Sequence, residues 1–350
     1  MKKFLRGGYT TGACAAAGVK AALIFMTTGA NVDGVEIIAL DGTPLKIPIK
    51  NVEKISGGVR VEVIKFSGDD PDITNGASVF TTVRKIFGGE IIFKAGIGVG
   101  KITKAGLQLP VGEPAINPGP RRLIQNVAAE FEIGGLEVEI SIPDGVELAK
   151  KTLNPILGVE GGLSIIGSTG VLRPMSEEAF KNSLVPQIDV AKAAGFDELI
   201  FVPGKIGETI AKKLGFPDGA IIQTSNFIGF MLEAAAERDI KKIILCGHLG
   251  KLIKVAAGIF HTHNRVADAR SETLAAYSAA EGLKSSEVQK ILDANTTEDA
   301  AQIISANGLE RVYKKIAARA SRRAERYVFG KFKVNTILVD YAGNILGSNR

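Results

Sequence analysis

All three histidines of this chain, His248, His261 and His263, fall within one run, CGHLGKLIKVAAGIFHTHNRVADARSE, from Cys246 to Glu272. The run closes on Asp268, Arg270 and Glu272, and an apolar Ile243-Ile244-Leu245 precedes it. Gly247 and Gly250 punctuate its start, so the pattern predicts a strand that ends in a glycine turn and opens a helix near Lys251. Such a joint presents unpaired N–H groups at the helix N-terminus, which favours an anion or a polar ligand edge. His261-x-His263 has no cysteine and no carboxylate at ligand spacing nearby. These imidazoles are therefore expected to make structural or substrate hydrogen bonds, and no resident metal is expected.

A second glycine turn, Gly167-Ser168-Thr169-Gly170, runs on to Arg173. It offers close backbone approach, two hydroxyls and a guanidinium, without the GxGxxG fingerprint. Asn117-Pro118-Gly119-Pro120 is a stiff turn that delivers Arg121 and Arg122 to a helix start, and arginine is suited to bidentate carboxylate recognition. Near the N-terminus, Thr10 or Thr11 can cap the helix that follows, whose small residues Ala13 to Ala17 permit close packing. Gly96, Gly98 and Gly100 do not form a phosphate loop, because Ala95 and Ile102 stand where that pattern needs Gly and Ser or Thr. Asp69, Asp70 and Asp72 with Asn75-Gly76 lack the spacing of a calcium loop and read as a capping turn.

These groups must be held by two kinds of scaffold. Residues 1–153 mix a hairpin over Val35–Ile49, a strand over Val59–Phe66, a helix from Arg122 to Glu130 and a strand from Gly135 to Ile142, with long glycine-rich loops. That half is expected to be an α+β domain. Residues 154–350 alternate strands and helices: LSIIGSTG from Leu163, ELIFVPG, AIIQTS and KIILCGHLG, each followed by a helical pattern. Alternation of this kind predicts a Rossmann-like, doubly wound α/β domain with a parallel sheet. Helices over Ser271–Glu281, Ser285–Asp293 and Thr297–Arg326 are expected to form an α-rich tail, and Asn335–Gly347 a terminal hairpin.

Composition narrows the class. The 350 residues carry a net charge of +6, which suits an anionic partner. No Lys/Arg run is interleaved with aromatics, so nucleic acid is not expected. Cys14 and Cys246 form no CxxC or disulfide framework and read as small buried residues. With no signal-peptide pattern and no apolar run judged long enough to span a membrane, a cytoplasmic protein is expected.

The stretches RGGYTTGACAAA, DDPDITNGA, GVGKITKAGLQLPVGEPAINPGPR, GSTGVLRPMS and GHLGKLIKVAAGIFHTH, followed by ADARSE, resemble in order the CbiD family, the cobalt-precorrin-5B C(1)-methyltransferases of anaerobic cobalamin biosynthesis. They run from residue 6 to 272. The resemblance implies transfer of a methyl group from S-adenosylmethionine to carbon 1 of an anionic cobalt-tetrapyrrole, with cobalt entering as part of the substrate. The two glycine turns make the donor expected near Gly167, Ser168, Thr169 and Gly170 and near Gly247, His248 and Gly250. The basic and polar groups beside the glycine-rich loops make the macrocycle expected near Thr10, Thr11, Asn117, Arg121, Arg173, Lys251 and Arg270. His248, Asp268 and Glu272 are the candidate catalytic groups, with the two acids able to hold ribose hydroxyls or the donor's amine, or simply to cap and pair. A histidine approaching the substrate's cobalt is the sharper alternative for the imidazoles. A tetrapyrrole carrier and a nicotinamide-dependent oxidoreductase are the rival readings, and a homo-oligomer stays open.

Overall fold

The computed structural model describes residues 5–350. The chain forms two compact units, the first ending at Glu177 and the second running Glu178–Arg350. This division lies beyond the expected 153/154 boundary, because residues 159–172 return to pair within the first unit. Val159–Glu160 pairs with Lys101–Ile102, Gly162–Leu163 with Gly98–Val99, and Val171–Leu172 with Gly8–Tyr9. The LSIIGSTG segment therefore does not open the parallel sheet. Its apolar residues are spent on short pairings instead, with Ile165 bridging Ile116.

The first unit is built on helix α1 (Thr11–Thr28). Thr10 caps it, its side chain accepting the Ala13 N–H at 3.2 Å. A hairpin follows, β1 (Gly34–Ile38) against β2 (Pro44–Pro48). Then come β3 (Asn51–Ile55), β4 (Gly58–Ile64), β5 (Ser78–Lys85) and β6 (Ile91–Ala95). Helix α2 (Pro118–Ala128) and strand β7 (Leu136–Ser141) complete the main elements. The sheet order is β3-β4-β5-β7-β6, antiparallel except for the parallel β7–β6 pair. β4 alternates, with Val59, Val61 and Val63 buried, and α1 lies over that face. Gly18 permits the contact, since a Cβ there would stand 2.6 Å from the Thr81 hydroxyl.

By length and composition α1 could cross a membrane, contrary to the expectation that no apolar run was long enough. However, Ala13 through Ala17, Val19 and Ala21 through Leu23 have no exposed surface and belong to the unit's core. The Asp69–Gly76 turn is held from within. Lys65, 2% exposed, donates to Asp72 at 3.0 Å and to Ser67 at 2.7 Å, and Asp72 accepts the Thr74 N–H at 2.8 Å.

In the second unit, α3 (Glu177–Leu184, starting at the boundary) and α4 (Pro186–Ala193) lead into β8 (Glu198–Val202). There follow α5 (Lys205–Lys213), β9 (Ile221–Gln223), α6 (Ile228–Glu237), β10 (Lys242–His248) and α7 (Leu249–Ala257). Four more helices come next, α8 (Arg270–Ala280), α9 (Ser285–Leu292), α10 (Thr297–Ala306) and α11 (Arg311–Tyr327). The unit ends in β11 (Lys333–Val339) and β12 (Ile345–Ser348). The sheet order is β9-β8-β10-β11-β12, parallel throughout except at β12. The helical segment is thus a crossover that returns the chain to β11 beside β10, and not a tail. The expected helix over Thr297–Arg326 breaks at Asn307-Gly308, where Gly308 takes φ 64°. Ile244 and Cys246 of β10 share one apolar layer with Ile210 and Ala211 of α5. Strand alternation turns Ile243 and Leu245 to the opposite face.

Candidate functional site

The sheet order of the second unit, counted by strand number along the chain, is 2-1-3-4-5. The chain steps outward from β8 to β9 and then crosses back to β10. The connections leaving the carboxyl ends of β8 and β10 therefore run in opposite directions, and open α/β sheets place ligands in such a crevice. A cavity of about 500 Å³ lies there, within the usual range for a small-molecule site. Pro203 to Gly207, from the end of β8 and the first turn of α5, form one wall. His248, Gly250 and Lys251, from the end of β10 and the first turn of α7, form another. Arg270 opens α8, and Thr296, Thr297 and Glu298 open α10.

Four helix N-termini therefore face one cavity, and their partial positive charges add to those of the lining lysines and arginine. Gly204, the N-cap of α5, offers no side-chain cap, so the Lys205, Ile206 and Gly207 N–H groups have no side-chain acceptor at that cap. Lys251 Nζ donates to Asn226 Oδ1 at 2.7 Å and to the Pro203 carbonyl at 3.2 Å. Burial, reinforced by Lys254, pushes its pKa below the usual lysine value. Lys254, 1% exposed, donates to the Thr262 and Ala267 carbonyls at 3.2 and 3.0 Å and to Asn264 Oδ1 at 2.7 Å. It thereby shapes the loop that brings Thr262, His263 and Asn264 to the cavity.

His248 is the end of β10 and the N-cap of α7. Its Nδ1 accepts the Gly250 N–H at 3.1 Å and its Nε2 lies 2.6 Å from Glu298 Oε1. Its ring stacks on Tyr341, centroids 4.0 Å apart. Both ring nitrogens are thus engaged, which removes His248 from the groups able to approach a metal in this arrangement. His263 Nδ1 accepts the Arg265 N–H at 3.1 Å, and His261 packs on Phe227, centroids 4.9 Å apart.

The expected site residues divide between the units. His248, Gly250, Lys251 and Arg270 line the cavity. Gly247 lies behind it, where a Cβ would stand 3.0 Å from the Pro203 ring. Asp268 does not line it but grips Arg270 in a bidentate pair at 2.9 and 2.7 Å, and that guanidinium lowers the Asp268 pKa. Glu272 is exposed on the first turn of α8.

Gly167 to Gly170 belong to the first unit, where the segment 165–170 meets Thr10, Thr11 and Asn117. Thr10 N–H donates to the Gly170 carbonyl at 2.9 Å, Thr11 Oγ1 accepts the Ile166 N–H at 3.0 Å, and Asn117 N–H donates to Ile165 at 3.0 Å. Thr169 Oγ1 accepts the Val171 N–H at 3.2 Å. Arg121 donates to the Ile116 carbonyl at 2.8 Å and to Glu113 at 2.7 Å, so it fastens the 113–116 loop. Arg173, with its side chain 78% exposed, stands 3.5 Å from Asp41.

Sequence reasoning missed Gly204, Lys205, Asn226, Glu298 and Tyr341. The first three follow strand ends, and reading every strand-end loop as a potential wall would have found them. Nothing local marks Glu298, fifty positions from the histidine it meets.

The CbiD family model matches residues 1–174, and the model of the CbiD C-terminal domain matches residues 261–350. A Moorella thermoacetica protein named cobalt-precorrin-5B C(1)-methyltransferase is 49% identical over 99% of this chain and 96% of its own length. One of the same name from Methanocaldococcus jannaschii is 49% identical over 99% and 97%. The crystal structure of the cobalamin biosynthesis protein CbiD from Archaeoglobus fulgidus is 28% identical, covers 77% of this chain and 84% of that one, and superposes with a TM-score of 0.39. Near-complete coverage at this identity, with both family models in register along the chain, shows that the chain belongs to the CbiD family.

Proposed function

We propose that this chain transfers a methyl group from S-adenosylmethionine to carbon 1 of cobalt-precorrin-5B, giving cobalt-precorrin-6A and S-adenosylhomocysteine. The observation that carries the reading is 49% identity over 99% of the chain to relatives named for that reaction. The donor supplies an activated methyl on a sulfonium: the new bond forms to carbon 1, the S–C bond breaks, and its electron pair stays on sulfur. No enzyme nucleophile is needed, so the protein's work is to bind, align and exclude water, worth up to roughly 7–11 kcal/mol in favourable systems.

The second-unit cavity suits the donor. The uncapped N–H groups of Lys205 to Gly207 and the Lys251 ammonium match a carboxylate. Glu298 is the one carboxylate lining the cavity among the described residues, and its two oxygens are engaged by His248 and Thr297. Tyr341, 65% exposed, offers a ring face. The 2-1-3-4-5 order supports a Rossmann-like reading of this unit. The anionic macrocycle is assigned to the first-unit surface around Arg173, with Thr10, Thr11, Asn117 and Arg121 shaping the backbone beside it.

Incubation of the purified protein with cobalt-precorrin-5B and methyl-labelled donor should give a product carrying one new labelled methyl and one equivalent of S-adenosylhomocysteine. A protein that binds the macrocycle and leaves the donor unconsumed would be a carrier, and the reading would fall.

A further inference from the structure

The Glu298 carboxylate, from the first turn of α10, meets the β10–α7 joint at the cavity. Its Oε1 lies 2.6 Å from His248 Nε2 at the β10–α7 joint, and its Oε2 accepts the Thr297 hydroxyl at 3.1 Å. Tyr341, from the β11–β12 turn, covers a face of the same imidazole. Gly250 leaves room for this meeting, since a Cβ there would stand 3.1 Å from the Thr297 hydroxyl.

The geometry decides the proton's place. Gly250 N–H donates to Nδ1, so Nδ1 must carry a lone pair. The ring hydrogen then sits on Nε2 and is donated to Glu298. An imidazolium would set an Nδ1–H against the Gly250 N–H and break the cap of α7. Tautomer, ring orientation and helix cap are therefore one coupled arrangement, and Glu298 supplies its outer acceptor.

We propose that Glu298 is a positioning residue: it holds His248 as the Nε2–H tautomer, and through the Gly250 cap it holds the first turn of α7, with Lys251, against the cavity. The consequence for ligand affinity rests on donor binding in this cavity; the tautomer assignment does not.

The test is a two-bond proton–nitrogen correlation spectrum of the full chain labelled with ¹⁵N-histidine. The His248 signals are identified by their loss in His248→Asn. Wild type should show a pyridine-type Nδ1 and a pyrrole-type Nε2. Glu298→Gln, whose amide oxygen still accepts, should keep that pattern. Glu298→Ala should move His248 to a mixture of tautomers and raise the Kd for S-adenosylhomocysteine about tenfold, with Glu298→Gln closer to wild type. A wild-type spectrum with the hydrogen on Nδ1, or a Glu298→Ala spectrum like wild type, would overturn the proposal. A wild-type protein with the expected tautomer that ignores S-adenosylhomocysteine would support the positioning role and overturn the donor reading.

Discussion

Lys254→Met is expected to lower the stability of the second unit by about 3 kcal/mol and its Tm by roughly 6–12 °C. Two effects oppose each other. Methionine has nearly the length of lysine and relieves the cost of burying an ammonium, a cost visible as a pKa pushed down by burial in spite of the nearby Asp268. Against this, the substitution strips the partner from two backbone carbonyls, Thr262 and Ala267, and from Asn264 Oδ1. Thr262 is 2% exposed, so its carbonyl has little access to water as a substitute. An unpaired buried carbonyl costs about 1–3 kcal/mol, and that of Thr262, together with the lost bonds to Ala267 and Asn264, outweighs the relief. The loop bearing His263 and Asn264 should loosen at the same time. Thermal unfolding followed by circular dichroism checks this, and a Tm within about 2 °C of wild type would show that the ammonium's bonds contribute little.

Gly207→Ala should be nearly as damaging for a different reason. Gly207 lies in the first turn of α5 where the helix crosses β10, and a Cβ would collide with the Cys246 carbonyl oxygen and stand 3.1 Å from Gly247 Cα. Both obstacles are backbone in the middle of a sheet, so α5 must move. Overpacking of this kind costs typically 1–3 kcal/mol. The shift would also carry the Lys205–Gly207 N–H groups away from the cavity. Gly204→Ala is the control, because its backbone is extended, with φ −179°, and a Cβ there meets nothing within 4 Å. Denaturant unfolding should separate the two variants by about 2 kcal/mol. Equal stability would mean that the helix–strand contact has slack that the packing does not show.

Local signals gave the elements well where the chain obeys local rules. Thr10 caps α1, the Asp41–Pro44 turn joins a hairpin, and each apolar run from ELIFV to KIILC is a strand followed by a helix. The failures share one cause, which is pairing over long separations. LSIIGSTG has the composition of a strand, yet its partners are Gly98–Val99 and Ile116, and no local pattern reveals that. Asn335–Gly347 looks like a hairpin, and β11 and β12 do pair. But β11 also lies parallel to β10 across a crossover of five helices, with Leu338 and Val339 fully buried.

The site was legible to the same degree. The glycine turn after KIILC marked His248, Gly250 and Lys251, because backbone N–H groups at a strand–helix joint follow from sequence. Their partners did not follow. Asn226, Glu298 and Tyr341 arrive from three other loops, and only the fold makes them neighbours. Of the two roles the sequence left open for Asp268, holding a ligand or pairing, the structure shows a pair with the arginine two residues away.

The measurement that bears most directly on the central claim is calorimetric titration of S-adenosylhomocysteine into wild type, Lys251→Met and Arg173→Ala. If the second-unit cavity holds the donor, wild type binds, Lys251→Met weakens binding by about tenfold or more, and Arg173→Ala binds as wild type does. Binding that survives in a folded Lys251→Met and is lost in Arg173→Ala would move the donor to the first unit and contradict the assignment.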